Sequence, residues 1–255
     1  VAAVETLLDH GADPEIADFE GYTALMHAVK SKHLPTVQLL LKYGADISRR
    51  DAYGGTVLHH ASHAKENADL IRALINAHAD VNAIDYDGDT ALQYAVRQNH
   101  TKNARCLLEF GADHNIANVE GETPMFMAIY HQAEDILRML VVRGVDLNIV
   151  NSGRQTVLHA VACEGTANAM RALMETHMGE VDVLAKDSDG RTCLDYFASR
   201  HSSDPDIASA FTEMIASMKH GATGTRRPSL ETLEESVYFE DALQWQTESQ
   251  TLSPA

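Results

Sequence analysis

The chain has 255 residues, 45% of them hydrophobic, which is enough apolar material to bury a core along most of its length and excludes disorder throughout. Its 37 acidic and 20 basic residues leave a formal charge of −17, which repels polyphosphate and argues against nucleic acid or anionic membrane as a direct partner. Three cysteines without a CxxC pair exclude a complete disulfide framework and fit a reducing compartment, while charges or prolines interrupt every apolar run before the roughly 18 residues a membrane span needs.

In chain order, residues 1–17 read VAAVETLLDHGADPEIA, an apolar helical segment closed by HGAD. From there two phrases recur in step. A Thr followed two residues later by an apolar residue returns at Thr23, Thr56, Thr90, Thr123, Thr156 and Thr192, with spacings of 33, 34, 33, 33 and 36. The HGAD phrase returns with Gly44, His78, Gly111 and Gly144 in the place of Gly11.

Each Thr is predicted to cap a helix by accepting a bond from an orphaned first-turn amide. Ala24, Ala91 and Pro124 suit the position that follows. Leu25, Leu58, Leu92, Met125, Leu158 and Leu194 are expected to point inward, and Ala28, Ala61, Ala95 and Ala128 to let neighbouring helices approach. A second helix in each unit carries apolar residues at helical spacing, as in Val37, Leu40 and Leu41 or Leu70, Ile71, Leu74 and Ile75. Glycine then ends it in the left-handed conformation, where His78 is expected to lose about 1 kcal/mol. The Asp-x-x-Gly stretch that follows predicts a tight turn projecting between helix pairs.

The unit opened by Asn151 departs from this pattern, with Arg154 in the turn-glycine position and extra residues in HMGEVDVL from His177, so its turn is expected to be distorted. The unit opened by Asp187 continues into DPDIASAFTEMIASM, whose Ser, Thr and Glu positions suit a polar terminal cap. From Lys219 the rhythm stops and Gly, Thr, Ser, Pro and Glu dominate, so residues 221–255 read as a flexible acidic tail.

The openings DFEGYTALMHA, DAYGGTVLHHA, DYDGDTALQYA, NVEGETPMFMA, NSGRQTVLHAV and DSDGRTCLDYF, with closings such as LLEFGAD, resemble the ankyrin family over residues 1 to about 220. The resemblance implies an all-α solenoid of stacked helix-turn-helix units with projecting β-turn fingers. Residues 1–17 then form a partial repeat holding only the second helix, and residues 18–220 form six repeats, the last acting as the C-terminal cap. A missing first helix leaves Val4, Leu7 and Leu8 as an uncovered edge and points to a piece of a longer polypeptide.

The family binds partners on a concave face lined by fingers and first helices. Mapped onto this chain, the fingers offer Phe19, Tyr22, Tyr53, Tyr86, Asp87 and Asp89, and further along Val119, Glu122 and Arg191. The first-helix ends offer Lys30, Arg97, Tyr130, His131 and Glu164. The aromatics are the informative members, because exposed aromatic side chains are typical of binding hot spots; whether each faces solvent or tucks against the next finger stays open.

His59, His60 and His63 have the i, i+4 spacing of a metal pair but lack a third ligand and a catalytic Glu, and the family reading makes His59 and His159 structural residues that bond the adjacent finger. Cys106 and Cys193 fall at core positions and Cys163 at the end of a first helix, with no paired base that would make a nucleophile. Asn82, Asn115 and Asn148 close their units as loop-bracing side chains that the family also hydroxylates. In the tail, RRPSL resembles the substrate pattern of a basophilic kinase and marks Ser229 for phosphorylation, while LETLEESVYFEDALQW reads as a linear acidic motif.

The expected function is a non-enzymatic scaffold or adaptor that binds a partner protein or peptide, with a basic partner surface favoured by charge and no cofactor or metal. The alternative is the regulatory or cytosolic portion of a larger enzyme, receptor or channel. An intracellular location, cytoplasmic or nuclear, is expected.

Overall fold

The structure, a computed structural model, describes residues 1–144, 146–174, 181–200 and 204–221. Ser229, the rest of the tail from residue 222, and the segment beginning at His177 as far as residue 180 lie outside the described residues. The described chain is helical, with two isolated antiparallel bridges, Ile84 to Thr90 and Val150 to Thr156.

A first helix, α1 (Ala2–Asp9), precedes six pairs: α2 (Ala24–Lys30) with α3 (Leu34–Lys42), α4 (Val57–His63) with α5 (Ala68–Asn76), and α6 (Ala91–Arg97) with α7 (Thr101–Glu109). Then come α8 (Pro124–Tyr130) with α9 (Glu134–Val141), α10 (Val157–Glu164) with α11 (Ala167–Met174), and α12 (Cys193–Ser199) with α13 (Pro205–Gly221). The even-numbered helices pack on one another in sequence, and from α5 onward so do the odd-numbered ones, giving an inner and an outer row. One continuous cluster of buried apolar residues runs from Leu25 to Ile215 through both rows.

Local chemistry explains the unit. Thr23, Thr90 and Thr192 accept a bond from the third helical amide, and each inner helix is preceded by a Thr in extended conformation. The outer helices end where Ala12, Ala45, Ala79 and Ala112 donate back to Leu7, Leu40, Leu74 and Leu107, with a left-handed residue just before. That residue is Gly11, Gly44 or Gly111, and in one unit His78 at φ +68°, as the sequence anticipates.

The single residue that lengthens the second spacing to 34 sits between α4 and α5, where Glu66 takes the left-handed conformation one place later than Lys32, Asn99 and Gln132 do in their units. Asn103 of α7 clamps this longer loop, donating to the carbonyls of Ser62 and Ala64 while accepting from the Asn67 amide at 2.8 Å.

At the ends, α1 buries no residue: Leu7 is exposed, and Val4 and Leu8 rest half-buried against the stack. At the other end α13 buries Ala210, Phe211, Met214 and Ile215 and presents Glu213 and Ser217 to solvent. Phe211 stacks on Phe197 of α12 at 3.9 Å between centroids. Leu194 corrects one expectation: it is half-buried, because α12 has an inner-row neighbour, α10, on one side only among the described residues. No helix among the described residues is long and apolar enough to cross a membrane.

Candidate partner-binding surface

Six turns, residues 18–22, 51–55, 85–89, 118–122, 151–155 and 187–191, project from between the helix pairs. Each is closed the same way: the opening residue donates its amide to the carbonyl of the fifth and accepts from the amide of the fourth, as in Asp85 N to Asp89 O at 3.0 Å and Gly88 N to Asp85 O at 3.1 Å. The opening Asp or Asn side chain also accepts the amide of the fifth residue in every turn, for example Gly55 N to Asp51 Oδ1 at 2.8 Å. The turn at 151–155 keeps this geometry with Arg154 at φ +58°, so the expected distortion is absent: the shared bonds hold the left-handed shape against the modest cost of a side chain there.

Neighbouring turns are tied into one row. Ala52, Tyr86, Val119, Ser152 and Ser188 each donate an amide to a carbonyl of the turn before, at Glu20, Tyr53, Asp87, Glu120 and Gly153, over 2.8 to 3.0 Å. A second link crosses from inner helix to next turn. His59 Nδ1 accepts from the Thr56 amide at 3.0 Å and its Nε2–H donates to the Asp89 carbonyl at 2.9 Å, so the buried ring is the neutral Nε2–H tautomer. Burial, the largest cause, lowers its pKa. His159 makes the same pair of contacts to Thr156 and Arg191, and Gln93 reproduces both with its amide group, to Thr90 and Glu122.

A third link props the four fingers that open with Asp against their own inner helices. The Asp carboxylate meets His27 from Asp18 at 2.8 Å, His60 from Asp51 at 2.9 Å, Tyr94 from Asp85 at 2.8 Å and Tyr196 from Asp187 at 2.7 Å. Where the finger opens with Asn118 or Asn151, the helix offers Met127 or Ala160 in the same register and no such strut is needed. The bond from the Tyr22 amide, and after it the contact with His27, holds the Asp18 carboxyl below the usual range.

On this frame Phe19, Tyr53, Tyr86 and Val119 stand at finger tips; Phe19 is fully exposed and the other three are 66%, 71% and 69% exposed. Asp87 is exposed between them. Tyr22 is half-buried, edge-on to His60 at 5.0 Å with the exposed Lys30 ammonium 3.9 Å over its ring. Asp89 corrects the sequence expectation of a solvent-facing acid: it is 2% exposed, ion-paired with Arg97 and accepting from Asn118 Nδ2 at 3.1 Å. Arg97 is accordingly half-buried and lies over Tyr94.

Glu122 is half-buried, its pKa raised by burial first and then by Glu120 and Asp89. Tyr130 is half-buried too, its hydroxyl pKa pushed up to about 12 by burial and then by Glu122, while bonded to the Asn151 side chain. His131 and Glu164 are exposed at the ends of α8 and α10, with burial the first cause lowering the His131 pKa. Arg191 is exposed beside the Tyr196 ring. Ile84 and Val150, exposed just before the third and fifth fingers, belong to the same surface and were missed; an apolar residue immediately before the opening Asp or Asn was their signal.

A family model described as ankyrin repeats, in three copies, matches residues 1–85, 58–151 and 125–217. The chain belongs to the ankyrin-repeat family. Among solved structures, the ankyrin repeat domain of Bcl-3, a unique member of the IkappaB protein family, is similar at 24% identity over 83% of this chain and 91% of that one, with a TM-score of 0.69. No curated protein matches the chain. Ankyrin repeats generally serve as protein–protein interaction modules, and the fingers and inner helices described above are tied together by backbone and side-chain bonds.

The remaining ankyrin side chains follow structural roles. Both nitrogens of His59 are engaged, His60 faces Asp51, and His63 lies edge-on to Tyr94, so the three histidines do not converge. Cys106 and Cys193 are buried and donate weakly to the Ala68 and Val183 carbonyls. Cys163 is exposed, yet burial first and Glu164 next raise its pKa, opposite to what a thiolate nucleophile requires. Asn82 braces the next unit by accepting the Asp113 amide at 2.8 Å.

Proposed function

We propose that the chain captures a partner protein across its finger tips and inner-helix ends, as a scaffold or adaptor with no catalytic role of its own. One observation carries this reading. Of the ten large hydrophobic side chains exposed among the described residues, seven lie on fingers or on the residues leading into them: Ile16, Phe19, Tyr53, Ile84, Tyr86, Val119 and Val150. Apolar side chains gathered on one hydrogen-bonded row, rather than scattered, are the mark of a binding face. A formal charge of −17 favours protein over nucleic acid or anionic membrane as that partner.

Combining Tyr53→Ala with Tyr86→Ala tests this. Because both rings are mostly in solvent, the melting temperature is expected to stay within about 2 °C of the parent while partner capture from extract falls sharply. Unchanged capture by the double variant would contradict the proposal, and parallel loss of capture and melting temperature would make the rings structural.

A further inference from the structure

The six fingers are chemically unequal. Fingers one to four end in Phe19, Tyr53, Tyr86 and Val119, and three of these tips carry an exposed carboxylate beside the apolar group: Glu20, Asp87 and Glu120. Their tip sequences, DFEG, DAYG, DYDG and NVEG, contain no Lys or Arg. The cations nearby are occupied: Arg50 donates to the carbonyls of Gly54 and Ile84, Arg97 is paired with Asp89, and Lys30 sits over Tyr22. One step inward, Glu122 is half-buried, and its pKa is raised by burial first and then by Glu120 and Asp89, with Arg97 opposing. Fingers five and six lack an apolar tip, with Ser152, Gly153 and Ser188 there and Arg154 and Arg191 beside them; the sixth keeps one exposed carboxylate, Asp189, next to Arg191.

We propose that fingers one to four dock a protein segment in which aromatic or aliphatic residues are flanked by Lys or Arg, and that fingers five and six lie outside its main contact. This rests on the capture reading above and specifies its partner. Burying the tip side chains supplies the affinity. Contacts between the flanking cations and Glu20, Asp87 and Glu120 select the partner and speed its approach more than they tighten the complex, so binding weakens as salt rises.

The probe is a displayed library of random 16-residue peptides selected on the full chain, with the recovered sequences synthesised and titrated. Lys or Arg interleaved with aromatic and aliphatic residues is the expected consensus. Val119→Ser with Glu120→Lys is expected to weaken these peptides at least about tenfold, whereas Arg154→Glu with Arg191→Glu changes them less than about twofold. Acidic peptides, or peptides indifferent to the finger-four change, would overturn the proposal. Peptides lost with the Arg154 and Arg191 changes would overturn it while leaving capture by the fingers intact. If no peptide is selected, the proposal also falls, and the Tyr53 and Tyr86 variant separately decides whether capture survives.

Discussion

His59 shows how much one side chain can carry. Its neutral ring satisfies an N-cap amide and a carbonyl of the next finger at once, and burial holds its pKa below 6.5. The sign follows from linkage: below about pH 6.5 the unfolded chain takes up this proton more readily than the folded one, so the stability is present above that pH and is lost as pH falls through the lowered value. Gln93 makes the same two bonds without titrating. His59→Gln is therefore expected to fold and to lose less melting temperature than the parent between pH 7.5 and pH 5.5, as calorimetry at both values would show. The histidine's role was legible through the family resemblance, which makes His59 and His159 structural residues bonding the adjacent finger; its amide substitute at Gln93 was not, since glutamine there reads as an ordinary polar helix residue.

Glycines divide on similar grounds. A Cβ on Gly111 would meet nothing within 4 Å, so Gly111→Ala bears only the left-handed cost of about 1 kcal/mol, which is also why His78 is tolerated in the equivalent place. A Cβ on Gly121 would stand 2.8 Å from the Ser152 amide nitrogen, which bonds the Glu120 carbonyl. Gly121→Ala is expected to cost about 3 kcal/mol, strain and overpacking together, in urea denaturation. Sequence treats both glycines as turn punctuation; the crowding between fingers is a tertiary fact.

At the scale of the element, the finger and its inner helix form one braced object. Tyr94 donates to Asp85, which is nearly buried, so Tyr94→Phe leaves a carboxylate oxygen short of a partner and is expected to cost about 1 to 3 kcal/mol. In an Asp85→Asn background, which copies the chemistry of Asn118 opposite Met127, the same change is expected to cost less, and a double-mutant cycle measures the difference. This pairing was written in the sequence: His27, His60, Tyr94 and Tyr196 accompany Asp, while Met127 and Ala160 accompany Asn. It went unread because the partners are nine residues apart and neither is unusual alone. Asp89 failed for a related reason: its position matches the half-buried Tyr22 and Glu122 and the exposed Arg191 in register, but only folding brings Arg97 over it.

For the whole molecule, the thirty-odd-residue beat was enough to place every inner helix among the described residues, because six capped Thr openings and the recurring closing turn agree in phase. What periodicity could not supply was which surface side chains are spent on holding the stack and which are free to meet a partner. The structure shows which are bonded within the stack: Asp89, Arg97 and Tyr22 are engaged internally, whereas Phe19, Tyr53, Tyr86 and Val119 are left in water. Rigid turns linked amide to carbonyl along the stack present those tips at low entropic cost, which favours preorganised binding.

The most direct measurement is site-specific photo-crosslinking of the full chain in extract, with the crosslinker placed either at Tyr53 on a finger tip or at Arg105, exposed on an outer helix. The account predicts a discrete protein adduct from position 53 and none from position 105. Adducts from 105 alone would contradict it, by putting the interaction surface on the opposite side of the stack.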